Sequence, residues 1–238
     1  MLNRFRFRAI PFVATVLLVA LGVSLGQWQE RRAEEKTAVQ TRLAERAGLP
    51  PRVIGPQLVN KKDVEFRPVS VAGEFVAQWP LFLDNRPQQG KVGFYLLMPF
   101  KIAGSNTHVL VARGWLPRYT GEHNRLPAFA TPSGPVIVTG IAKAGMGKVM
   151  QLGDPAVVQP KAILQNLTPD QFANASKLTV QPFFIEQTGP PVGDNLVRDW
   201  PAPALGVDKH HGYAFQWYAL AAMALIFFVV TGFRRGTK

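Results

Sequence analysis

The chain contains no cysteine. That excludes disulfides, thiolate metal sites and a cysteine nucleophile, and it leaves the redox compartment open. Histidine is scarce: His108, His123, His210 and His211 are the only copies. There is no G-x-S-x-G, H-E-x-x-H or P-loop pattern, so no catalytic constellation is evident and an enzyme is not expected. Acidic residues are also few, 15 against 27 Lys and Arg, giving a formal net charge of +12. Such an excess raises nucleic acid as a partner. Half of it has a more local cause, because Arg4, Arg6 and Arg8 precede one apolar run and Arg234, Arg235 and Lys238 follow another. The other charges are scattered without an interleaved basic–aromatic stripe, so no nucleic-acid partner is expected.

Two long apolar runs stand at the ends of the chain. The first covers residues 9–26 and carries no charge. Roughly 17–25 such residues cross the hydrocarbon core of a bilayer. The alternative is a cleaved signal peptide, ending in small residues at Ser24 and Gly26. Against it, the helical pattern continues through Glu30, Arg31, Arg32, Ala33, Glu34, Glu35 and Lys36. The second run, Tyr213 to Phe233, has no charged side chain and crowds Tyr213, Trp217 and Tyr218 into its first turns, as an interfacial aromatic belt does. Small residues Ala219, Ala221, Ala222 and Ala224 would let another helix approach. Basic residues at the outer ends of both runs place both termini on the cytoplasmic side and the intervening chain outside, in the periplasm of a bacterium.

These signals divide the chain into a cytoplasmic start at 1–8, a transmembrane helix at 9–26, a helical stalk at 27–48 and an outer domain at 49–209. A second transmembrane helix at 210–233, headed by the histidine pair, and a cytoplasmic end at 234–238 complete it. Gly48-Leu49-Pro50-Pro51 breaks the stalk. Short apolar runs follow: Val69–Phe75, Leu81–Asp84, Gly93–Phe100, His108–Leu116, Pro135–Ile141 and Val180–Gln187. Turn residues separate them, with Asn85-Arg86-Pro87 read as a turn and Gly145-Met146-Gly147-Lys148 as a flexible loop. The expectation is a mainly antiparallel β domain, barrel-like or sandwich-like and of α+β type. One short helix is expected at Thr168-Pro169-Asp170-Gln171-Phe172, with Thr168 as N-cap and Gln171 closing a capping box.

Few residues invite a chemical reading. His108 and His123 read as surface and loop residues. His210-His211 sits just before the second span. Imidazole ligates metals and haem iron, and Tyr213, Phe215 and Trp217 beside it could flank a planar ring. The plainer reading is a polar anchor at the interface. Arg86 and Arg113 each follow an apolar strand. They read either as solvated or internally paired guanidinium groups, or as clamps for a carboxylate.

Four segments together resemble the Surfeit locus protein one family. Leu25-Gly26-Gln27-Trp28-Gln29-Glu30-Arg31-Arg32 is similar to its Gly-x-Trp-Gln-x-x-Arg signature. Asp84-Asn85-Arg86-Pro87 with Gly90-Lys91-Val92-Gly93-Phe94 resembles its Asn-Arg-x-x-x-Gly-x-x-Gly block. Val109-Leu110-Val111-Ala112-Arg113-Gly114-Trp115-Leu116-Pro117 resembles its Arg-Gly-Trp-x-Pro strand, and His210-His211-Gly212-Tyr213 through Tyr218 its His-x-x-Tyr-x-x-x-Trp. The resemblance implies a non-enzymatic assembly factor for cytochrome c oxidase in the bacterial inner membrane. It would bind or hand over haem a during maturation of subunit I, with haem a synthase as a second partner. It also implies His210 as axial ligand to the haem iron, with His211, Tyr213 and Trp217 beside it, and Trp28, Arg31, Asn85, Arg86, Arg113, Gly114 and Trp115 as further motif residues. The chain departs from the family at Asp208-Lys209, where Asn-Asn is usual, at His211, where an apolar residue is usual, and at Ala112, where Asn is common. A cofactor-free scaffold holding subunit I, and a membrane-anchored envelope enzyme, are the alternatives.

Overall fold

The computed structural model describes residues 7–119, 121–122, 125–151, 153–190, 193–201 and 206–233. His123 and the charged termini, Arg4, Arg6, Arg234, Arg235 and Lys238, lie outside the described residues. The chain divides into two compact units, one from residues 1–42 and 203–238, the other from residues 43–202.

The first unit is a pair of helices. α1 runs unbroken over Ala9–Ala47 and α4 over Val207–Phe233. Both are long and apolar enough to cross a membrane. Most of their apolar side chains are exposed, among them Ile10, Leu17, Phe215 and Phe227. Such surfaces belong in lipid rather than water. The two helices touch through small residues: Gly22, Gly26 and Ala33 are buried on α1, and Ala214 and Ala221 on α4. A Cβ on Gly22 would lie 3.0 Å from both the Ala221 Cβ and the Trp217 carbonyl oxygen, and one on Gly26 would enter the Tyr218 ring. Gly22-x-x-x-Gly26 is thus a small-residue seam of the kind that lets membrane helices pack by close contact. The alanines of α4 were expected to admit another helix; the Gly22–Gly26 spacing that meets them on α1 was not.

The second unit is built on one mixed sheet. Its strands are β1 (Arg52–Val53), β2 (Pro68–Phe75), β3 (Leu81–Gln88), β4 (Lys91–Ile102), β5 (Thr107–Pro117), β6 (Val136–Lys143), β7 (Ile163–Leu164) and β8 (Thr179–Gln187). They lie in the order β1-β2-β6-β8-β5-β4-β3-β7, and β2 also pairs with β4. The extra pairing closes β2, β6, β8, β5 and β4 into a barrel, which removes most of the sheet's open edge. The long strand β4 makes this possible, giving its first half to β3 and its last residues to β2. Val69, Val71, Phe100, Val109, Val111, Val138, Phe183 and Ile185 share one core, each contributing roughly 1.5–3 kcal/mol by burial. Residues of alternate parity, Leu97, Leu110, Ala112 and Phe184, face a second core. It is covered by α3 (Pro169–Ser176) through Phe172. The expected capping box of α3 is present, with Thr168 and Gln171 exchanging bonds.

The structure corrects several local expectations. The mainly antiparallel pairing is as expected, and within it β1–β2, β3–β7 and β5–β8 are parallel. β5 and β8 are separated by a long excursion, which leaves their relative direction free of any hairpin constraint. Asn85-Arg86-Pro87 is not a turn. It continues β3 through a bulge between Leu83 and Arg86, and the reversal comes at Gln89-Gly90, both with positive φ. The short α2 (Lys61–Val64), β1 and β7 carry too little pattern to be read from sequence. His108 is not a surface residue. It is 5% exposed, because β5 is covered on both faces. The loop at Gly145–Lys148 is pinned: Met146 is buried, Arg86 donates to the Gly147 carbonyl, and Asn166 bonds both the N–H and the C=O of Val149.

Candidate functional site

The motif residues of the β unit assemble in one place, and the cause is two β-bulges. In β3, Asp84 and Asn85 stand opposite a single residue of β4, and Asn85 takes a left-handed φ of 58°, which Asn tolerates better than most residues. The bulge turns Arg86 inward. In β5, Leu96 pairs with Gly114 while Leu97 pairs with Ala112, so Arg113 is the extra residue. Neither arginine follows a strand, as the sequence suggested. Each sits inside one, re-aimed by the bulge.

Both are buried, Arg86 at 5% and Arg113 at 1% exposure. Arg86 donates to the carbonyls of Gly147 and Gln165 at 3.2 and 3.0 Å and lies over the Tyr95 ring. Arg113 reaches Asp194 at 3.2 Å and Thr131 at 3.0 Å and stacks over Phe75. Asp194, itself 2% exposed, also pairs with Arg198. Burial pulls the Arg113 guanidinium down to about 10, with Asp194 acting in the opposite direction. Gly114 and Trp115 complete the arrangement. A Cβ on Gly114 would lie 2.8 Å from the Leu196 Cβ, and Trp115 exchanges backbone hydrogen bonds with Val197. The Trp115 indole donates to the Arg86 carbonyl at 2.7 Å, and its ring fills the space left by the missing Cβ of Gly93. The carboxylate held by Arg113 is therefore internal. The Arg-Gly-Trp block fastens the segment around Asp194–Val197 onto β5, while Arg86 of the Asn-Arg block holds the Gly147 and Gln165 carbonyls and is joined to it through the Trp115 indole.

The motif residues of the helical unit are more open. Gln29 meets His210, with 2.7 Å between Oε1 and Nδ1, and Glu30 meets His211 at 3.1 Å. Arg32 lies over the Trp28 ring and pairs with Glu35. His210 is half-buried, whereas His211 and Tyr213 are more than half exposed. Trp217 is half-buried and Arg31 exposed. Among the described residues no hydrogen-bond partner meets the Nε2 of His210, so one ring nitrogen keeps an available lone pair when the other carries the proton. No group of three or more potential metal ligands from His, Cys, Asp and Glu occurs among the described residues. A metal held here by a single imidazole would need its other ligands from elsewhere, as haem iron has from its ring.

Comparison with known families matches residues 16–222 to the SURF1 family. The chain belongs to that family. Among its relatives, a SURF1-like protein of Monosiga brevicollis is 23% identical over 90% of this chain and 84% of its own length. A SURF1-like protein of Rickettsia prowazekii is 24% identical over 93% of this chain and 88% of its own. The cytochrome oxidase assembly protein SHY1 of Saccharomyces cerevisiae is 32% identical over a shorter stretch, 39% of this chain and 24% of that protein. Family membership agrees with the two membrane-type helices and makes this a membrane protein. Sequence reasoning found the motif residues of both units but not their partners. Asp194, Arg198 and Gly22 were missed. The sole signal for Asp194 was an acidic residue in a Gly/Pro-rich stretch, and that is weak.

Proposed function

We propose that this protein is an assembly factor for cytochrome c oxidase, anchored in the bacterial plasma membrane with both termini cytoplasmic and the β unit outside. It binds haem a, or hands it over, as oxidase subunit I matures, and haem a synthase is the natural donor. The single observation that carries the assembly role is the family match across most of the chain, with an oxidase assembly protein among the relatives.

The residues present fit a haem. His210 offers Nε2 from a half-buried position at the head of an apolar helix, and Trp28, Tyr213 and Phe215 are exposed aromatic surfaces nearby in the sequence of the same two helices. Lys36 and Arg32 are close enough for their charge to act on His210, and they would suit the propionates of such a ring. A bound haem a supplies an iron centre that accepts an imidazole as axial ligand. The chain's part is to present that imidazole, to hold the apolar ring and tail at the lipid boundary, and to meet the propionates with cations. Acid–base or nucleophilic chemistry is not required of any residue.

The test is a reduced-minus-oxidised difference spectrum of membranes lacking the gene, complemented with wild type or with His210→Ala. Loss of the haem a signal that only wild type restores is the expected result. A deletion that leaves haem a and oxidase activity intact would sink the assembly role. Full restoration by His210→Ala would favour the cofactor-free scaffold, or His211 as the ligand.

A further inference from the structure

We infer that Gln29 is a positioning residue for His210: its side-chain carbonyl accepts the Nδ1 proton, locks the imidazole in one tautomer and leaves Nε2 as the single ligating atom. The inference rests on the haem-binding reading for its use, but its structural content stands apart from it.

Three observations point to this arrangement. The Gln29 Oε1 to His210 Nδ1 distance is 2.7 Å, shorter than the 3.1 Å between Glu30 and His211. Oε1 is the amide atom facing Nδ1, and an oxygen there favours a proton on Nδ1 without placing a charge beside the ring. Both residues are half-buried, whereas His211, one residue on, is paired to Glu30 from a more exposed position at a longer 3.1 Å. Imidazoles that ligate metals commonly donate their other N–H to an oxygen acceptor, which orients the ring and raises its basicity. The tight seam at Gly22 and Gly26 sets the register that brings Gln29 to His210, since Gly26 and Gln29 lie one turn apart on α1.

The tautomer can be read without any cofactor. The full-length chain, labelled with 15N-histidine and held in lipid nanodiscs, is examined by two-bond 1H–15N correlation at a pH well above the ordinary imidazole pKa of about 6.5. His210 signals are assigned by their loss in His210→Ala. Wild type is expected to show Nδ1 protonated and Nε2 bare. Gln29→Leu should release the ring to a mixture dominated by the opposite tautomer, and Gln29→Glu, which keeps the acceptor, should retain the wild-type one. Titration of the same samples with haem a should then show affinity falling about 10–100-fold in Gln29→Leu. A wild-type His210 protonated on Nε2, or a tautomer indifferent to Gln29→Leu, overturns the inference. A locked tautomer in a protein that binds no haem a would instead overturn the ligand role and the haem-binding reading with it, while leaving the positioning contact intact.

Discussion

The two units treat their motif residues in opposite ways. In the β unit the second and third motif blocks pack on each other and close: Arg86 is spent on carbonyls, Arg113 on Asp194, and Trp115 joins them. In the helical unit the first and fourth blocks meet as well, Gly26 against Tyr218 and Gln29 against His210, but Gln29 and His210 are only half-buried and His211 is exposed. Residues that look equally conspicuous in a sequence can thus have unrelated tasks. A buried guanidinium with an internal carboxylate fixes a fold, because leaving either charge alone in a dry interior is costly. A half-buried imidazole with one nitrogen satisfied is free to act on something else.

The largest effect is expected where the closed cluster is broken. Asp194→Ala strands two buried arginines and should cost about 3–5 kcal/mol. Arg113→Met should cost distinctly less, since Asp194 keeps Arg198. Thermal unfolding of the full chain in detergent would compare them, and equal losses would mean that Asp194 does not serve both partners. Gly114→Ala comes next. Its Cβ would meet Leu196 at 2.8 Å and the Val197 carbonyl at 2.9 Å, and overpacking of this kind costs about 1–3 kcal/mol. None of these three changes should alter the His210 tautomer.

The reverse experiment is Gly26→Leu, which drives the Tyr218 ring away from α1. We expect at least a tenfold loss of haem a affinity, about 1.4 kcal/mol, with the unfolding of the β unit unchanged. A parallel fall in β-unit stability would show that the two clusters are not independent. The smallest effect concerns pH. Burial holds His108 below its ordinary value. The unfolded chain therefore takes up a proton near pH 6.5 that the folded chain refuses, so stability is full above that pH and declines as pH falls through it. His108→Gln should flatten this slope in a series of melting curves. An unchanged slope would assign it to another group.

Some of this was legible before any fold was known. The six longer strands between Val69 and Gln187, the α3 capping box and the two apolar helices were readable, because each depends on neighbours within a few residues. Asn85–Pro87 was misread for the same reason: Asn and Pro signal a turn locally, and only pairing with β4 reveals a bulge inside a strand. His108 looked like an exposed strand opener because nothing in sequence says that β5 is covered on both faces.

By itself, then, the sequence determined the membrane helices, the barrel's strands and which residues were unusual. Hydropathy, periodicity and capping are short-range properties written in consecutive side chains. The tertiary structure alone decided what those unusual residues do. Closure of the barrel through β4, the bulges that turn Arg86 and Arg113 inward, Asp194 arriving from 81 residues away, and Gln29 meeting His210 across 181 residues are all long-range pairings. A guanidinium or an imidazole is a possible ligand in any sequence. Whether it is already satisfied depends on which distant oxygen the fold brings to it.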